Sequence, residues 1–108
     1  MNGKQRIISA LNRQPVDRTP VWFMRQAGRH LPEYRKIAAE HNFWERCMDV
    51  DLCKTITLQP IERYQKIDAA IIFSDILTPL PSLGYDVEYG GGIRISEFSL
   101  DDVDDWTK

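Results

Sequence analysis

The sequence predicts an α/β chain in which two buried strands run parallel and a helical segment crosses between them. VWFM (21–24) and AAIIF (69–73) are short, wholly apolar runs, rich in aromatic and β-branched residues, the pattern of strands covered on both faces. The residues between them carry helix starts and helical spacing. A third observation is YDVEY and IRI flanking GGG, which reads as a hairpin.

Asn2 caps a helix expected to run to about Arg13, with Ile7, Ile8 and Leu11 on one face. Pro15 and Pro20 bracket a turn, and the first apolar run follows. Pro32 fits a first helical position, with Glu33 in the first turn and helix to Glu40. FWERCM reads as a short helical turn. A longer helix is expected from about Asp49 to Gln65, kinked or ended by Pro60. After the second run, the prolines and glycine of LTPLPSLG forbid long regular structure. Ser99 and Asp102 suit the start of a further helix. Two neighbouring parallel strands with such a crossover wind right-handedly.

With 108 residues, 43% hydrophobic and 28% charged, the composition is that of one small globular domain and not of a disordered chain. A net charge of −2 gives no footprint for nucleic acid. No run approaches the ~18–20 apolar residues of a membrane span, and MNGKQRIISALNRQ has no signal-peptide core; the cytoplasm is the expected compartment. Cys47 and Cys53 match no zinc or redox spacing and read as reduced thiols in or near a helix. His30 and His41, without cysteines or paired acids, make no metal site. GGG at 90–92 is not a dinucleotide fingerprint, since no helix follows it directly. Trp22, Trp44 and Trp106 read as packing residues, Glu45 and Glu62 as solvated helix face, and the acids of 97–105 as a solvated helix start.

The polar residues at the ends of the apolar runs are the candidates for function. Arg25 and Arg29 carry permanent charge, and the first acid after them is Glu33. If the runs are parallel neighbours, Arg25, Arg29 and Asp75 meet at the rim where α/β sheets bind ligands. Arginine forks grip carboxylates bidentately, so two suggest a ligand with more than one. Ala27 and Gly28 leave room for its approach and present N–H groups. The arginines could instead pair with Asp75, Asp86 or Glu88. Asp75 could cap the next turn, or, set among Ile72, Phe73, Ile76 and Leu77, receive donors from a ligand. His30 reads either as a ligand contact or as a surface or packing residue, and His41 as structural.

PVWFMRQAGR (20–29), LPEYR (31–35), TLQPIERY (57–64) and DAAIIFSDIL (68–77) resemble the uroporphyrinogen decarboxylase family. The resemblance implies the N-terminal part of a (β/α)₈ TIM-type barrel, with residues 1–108 a fragment of one barrel domain that takes ~250 residues to complete. It implies a cofactor- and metal-independent decarboxylase, usually a homodimer, that removes the four acetate carboxyls of uroporphyrinogen to give coproporphyrinogen in porphyrin and haem biosynthesis. Asp75 and Arg25 are the implied catalytic residues. Arg25, Gln26, Ala27, Gly28, Arg29 and Asp75 are the implied substrate-binding set, Asp75 receiving the pyrrole N–H groups. His30 stands where the family commonly has tyrosine, and 90–92 departs from its usual glycine-proline turn. The family's tyrosine, serine or threonine and histidine from later strands have no counterpart here, so this chain alone is expected to be inactive. Two alternatives are a corrinoid-linked methyltransferase of the same superfamily, against which the RQAGR loop speaks, and a non-catalytic tetrapyrrole-binding or assembly fragment.

Overall fold

The computed structural model describes residues 1–89 and 93–96. The chain divides into two units, Met1–Phe73 and Ser74–Lys108.

In the first unit, α1 (Gly3–Leu11) begins with a capping box. Asn2 accepts from Gln5 N, and the Gln5 side chain accepts from Asn2 N, each at 2.9 Å. Its expected apolar face is not what docks it: Ile8 and Leu11 are exposed, and the buried residue of α1 is Arg6. α2 (Pro32–Glu40) starts with Pro32 in the first turn, where the missing N–H costs nothing. α3 (Phe43–Met48) carries a second capping box, built from Asn42 and Glu45, so Glu45 closes a helix end besides facing solvent. His41 Nδ1 lies 3.2 Å from Glu45 Oε2. α4 (Val50–Arg63) is capped by Asp49, which accepts from Leu52 N at 2.9 Å. It continues a turn past Pro60, which is buried.

These helices enclose a small core of Leu31, Tyr34 and Ile56, against which Ala27, Ile37, Ala38 and Phe73 pack. Phe73 meets Tyr34 and Phe43 edge-on, with ring centroids 5.9 and 6.0 Å apart. The Arg46 guanidinium lies over both of those partner rings, 5.3 Å from each centroid, and donates to the Tyr34 hydroxyl. Trp44 is half-buried and Trp22 more exposed. Cys53 and Cys47 lie on α4 and α3, and Cys53 Sγ donates to Phe73 O at 3.1 Å.

The two expected strands are not built as strands. Residues 21–24 and 69–73 are neither helix nor ladder, and one backbone bond joins their starts, Asp68 N to Val21 O at 2.8 Å. The physical reason is lack of cover. A parallel pair is stable when both faces are buried, whereas Phe23, Met24, Ile71 and Ile72 are all more than 60% exposed. The bond brings Asp68, the residue before the second run, to the start of the first, and no parallel ladder joins the two runs.

The second unit holds α5 (Pro79–Ser82) and an antiparallel hairpin of β1 (Val87–Tyr89) and β2 (Ile93–Ile95). Val87 pairs with Ile95, Glu88 with Arg94 and Tyr89 with Ile93. Asp86 and Ser96 extend the pairing by two further hydrogen bonds, of 3.0 and 3.1 Å. The expectations for the glycine turn at 90–92, the acidic stretch, the helix start at Ser99 and Trp106 fall outside the described residues.

Candidate anion-binding loop

The loop that carries both arginines is fixed from its two ends. At its start stands Asp68, its side chain 2% exposed. Oδ2 accepts from Val21 N at 2.8 Å and Arg18 Nη1 at 2.7 Å; Oδ1 accepts from Arg18 Nη2 at 2.9 Å and from Arg6 Nη1. Burial alone would raise the pKa of Asp68. The Val21 N–H and the Arg18 and Arg6 guanidinia outweigh it and hold the carboxyl below its ordinary range. Arg6 also forks onto Asp17, with Nε–Oδ1 2.6 Å and Nη2–Oδ2 2.7 Å. That bond depresses Asp17 and, with Asp68, raises Arg6 against the opposing effect of burial. Sequence reasoning missed this network. Its available signals were an Asp-Arg pair between two prolines and an acid set directly before an apolar run.

Gln26 fixes the middle. It is 6% exposed; Oε1 accepts from Phe23 N at 3.1 Å and Nε2 donates to Ala69 O at 2.9 Å. Gly28 has φ +142°, a conformation that L side chains rarely adopt. Leu31 N then donates to Gly28 O at 3.0 Å, and Arg35 Nη1 to Arg29 O at 2.7 Å.

Arg25 and Arg29 are exposed on this loop, and neither guanidinium makes an ion pair within the first unit. Glu33, the first acid after them, is taken by Arg63 at 2.7 and 2.8 Å. The Arg63 fork holds its pKa down at about 2. The N–H groups of Ala27, Gly28, Arg29 and His30 take no partner among the described residues. Ala27 and Gly28 are half-buried. An open cavity of about 1040 Å³ borders the loop. Arg25, Lys66 and His30 bring cationic or titratable groups to it, and Val21, Phe23 and Tyr64 bring apolar surface. The His30 ring stacks on Tyr64, 6.1 Å between centroids and 9° between planes. Arg29 is not among the residues that line it.

Asp75 belongs to the second unit. It is half-buried, next to an Ile76 that is 91% exposed, so its expected apolar surroundings are open to water on that side. Its Oδ2 accepts from Leu77 N at 2.9 Å and its carbonyl from Thr78 Oγ1 at 2.7 Å. It closes the turn that leads into α5, the capping reading of this residue.

Two arginines without an ion-pair partner and N–H groups without an acceptor among the described residues, beside a cavity, make this a candidate anion-binding loop on a mixed helix/strand chain. The chain belongs to the uroporphyrinogen decarboxylase family: the family model for uroporphyrinogen decarboxylase (URO-D) matches residues 2–108. It is 53% identical over 93 residues to a uroporphyrinogen decarboxylase of Magnetococcus marinus, covering 85% of this chain and 26% of that protein. The enzyme of the same name from Pseudomonas aeruginosa is 49% identical over 104 residues, covering 92% of this chain and 29% of that protein. That from Tolumonas auensis is 53% identical over 88 residues, covering 81% and 24%. The chain thus spans about a quarter of the length of the curated relatives it matches. Among the described residues, no helix is long and apolar enough to cross a membrane, and no cluster of three or more His, Cys, Asp or Glu side chains is placed to hold a metal.

Proposed function

We propose that residues 1–108 supply the N-terminal part of a (β/α)₈ barrel whose reaction is the cofactor-independent decarboxylation of uroporphyrinogen to coproporphyrinogen, in a cytoplasmic homodimer. The observation that carries this reading is the pair of guanidinia, Arg25 and Arg29, without an ion-pair partner among the described residues, on a loop whose other side-chain anchors are already engaged. Each is a bidentate receptor for a carboxylate, and uroporphyrinogen is an octacarboxylate. Family membership supplies the chemistry. The exposed apolar runs at 21–24 and 69–73 suit strands that further barrel strands and helices would cover.

In this reading the bond from a carboxylate carbon to its methylene breaks. Carbon dioxide leaves, and the electron pair passes to a protonated pyrrole ring, which serves as the sink. Protonation of the methylene gives the methyl group, and the ring releases the proton it had taken up, which restores the pyrrole. Asp75, accepting from the pyrrole N–H groups, stabilises the positive charge of that ring as it develops. Arg25 and Arg29 hold the carboxylates and neutralise them. Arg25 acts by orientation and charge, because a guanidinium does not give up its proton readily.

The test is a fluorescence titration of the purified chain with uroporphyrin, the oxidised octacarboxylate. Saturable binding, weakened at least about tenfold in Arg25→Ala and in Arg29→Ala, is expected from the loss of a charge-assisted fork. Equal binding by wild type and both variants would overturn the reading.

A further inference from the structure

We infer that Gln26 is a positioning residue: its buried amide sets the backbone that carries Arg25, and it does not itself grip the ligand. The inference deepens the reading that this loop binds a polycarboxylate, and rests on it for its binding test. Phe23 and Gln26 hold each other twice. Gln26 N donates to Phe23 O at 3.3 Å, and the Gln26 side-chain oxygen takes Phe23 N at 3.1 Å. Met24 and Arg25 are the two residues enclosed by this double closure. The other end of the amide, Nε2, donates to Ala69 O at 2.9 Å and ties the closed turn to the start of the second apolar run. Ala69 follows Asp68, which holds Val21 N. Residues 68 and 69 therefore grip the arginine-bearing segment at two points.

The chemistry demands glutamine. The site needs one acceptor, for Phe23 N–H, and one donor, for Ala69 C=O, on a single planar group of this length. Asparagine is a carbon too short, leucine offers neither group, and ionised glutamate offers acceptors only. With the residue 6% exposed and both side-chain polar atoms engaged, Gln26 borders the cavity but has its hydrogen-bonding capacity turned to the protein.

The glutamate variant makes the inference testable by pH. In Gln26→Glu the ionised carboxylate satisfies Phe23 N–H but sets an oxygen against Ala69 O. The neutral acid satisfies both. Uroporphyrin affinity of Gln26→Glu relative to wild type is therefore expected to be roughly tenfold lower at pH 8, the effect of one unmet buried bond. It should climb back toward wild type by pH 5.5. Gln26→Leu should show the loss without the recovery. Arg18, Arg25, His30, Tyr64 and Lys66 line the same cavity and Asp68 adjoins Ala69, so wild type measured over the same range controls for the charged and titratable groups around the site and for the ligand. Without ligand, the Arg25 backbone amide resonance of Gln26→Glu should follow the new carboxyl between pH 8 and 5.5 and stay put in wild type. An Arg25 resonance that does not move, or a Gln26→Glu affinity equal to wild type at pH 8, overturns the inference. If wild type fails to bind uroporphyrin while the resonance still moves, the positioning role stands and the proposed function falls.

Discussion

Replacing Gly3 by alanine sets two effects of opposite sign against each other. Alanine is the better helix former, by at most about 1 kcal/mol in a helix interior and less at a first turn. Yet a Cβ on Gly3 would lie 2.8 Å from Asp68 O, 3.1 Å from its Cα and 3.3 Å from its carbonyl carbon. All three are backbone atoms, and Arg6, Arg18 and Val21 hold that residue by its side chain, so it cannot retreat cheaply. Forcing an extra carbon into a packed contact costs about 1–3 kcal/mol. The steric cost wins, and the net loss is about 1–2 kcal/mol. At roughly 4–8 °C per kcal/mol for a domain of this size, the melting temperature followed by circular dichroism should fall by about 5–15 °C. Lys4→Ala, at an exposed position on the same helix, should change it little. An unchanged or raised melting temperature in Gly3→Ala would show that α1 does not rest on the backbone of Asp68.

Three further outcomes are expected. Ile56 is fully buried in a core of few members; Ile56→Ala should cost about 2–5 kcal/mol, read from the midpoint of urea unfolding. Glu33 has its pKa held down at about 2 by Arg63, against about 4.3 unfolded. The stability this pair contributes is therefore present above about pH 4.3 and lost as pH falls toward 2. Glu33→Gln should accordingly flatten the fall of melting temperature with pH in that window. In the decarboxylase completed to the length of its relatives, Asp75→Ala should lower kcat by about 10²–10³-fold, the scale of a lost transition-state charge partner. Arg29→Ala should chiefly raise KM. Steady-state kinetics on uroporphyrinogen separate the two, and the reverse pattern would mean that the roles are exchanged.

Local signals were legible wherever one side chain decides the outcome. Asn2, Pro32 and Asp49 each begin the helix that the sequence assigns to them, because a cap is settled within four residues. The hairpin pairing of 87–89 with 93–95 was likewise readable from alternation around glycines. The strands were not, because a ladder depends on cover from elsewhere: 21–24 and 69–73 have strand composition, but their faces lie open. Arg6 shows a second limit. Hydrophobic spacing assigned the docking face of α1 to its leucine and isoleucines, whereas a guanidinium shared by Asp17 and Asp68 lies buried instead. Periodicity has no means of foreseeing a buried charge whose partners lie 11 and 62 residues away.

The candidate site divides along the same line. The expectation that Arg25 and Arg29 serve an anion rests on residue type and spacing, and the structure adds that Glu33, the first acid after them in the sequence, is held by Arg63. That the RQAGR loop has a shape at all depends on contacts far along the chain. Gln26 reaches 43 residues ahead to Ala69, and Asp68 reaches back 47 to Val21. Gly28 then supplies a backbone angle that a side chain would resist; Gly28→Ala would meet no atom within 4 Å and would be disfavoured by its φ of +142° alone. Gly3 and Gly28 thus constrain the chain for opposite reasons, Gly3 by lack of space and Gly28 by lack of an allowed angle. An alanine at either position should weaken uroporphyrin binding by displacing the arginine-bearing loop, but only the Gly3 variant should also loosen α1 from its seat on Asp68, which limited proteolysis of the N-terminus would detect.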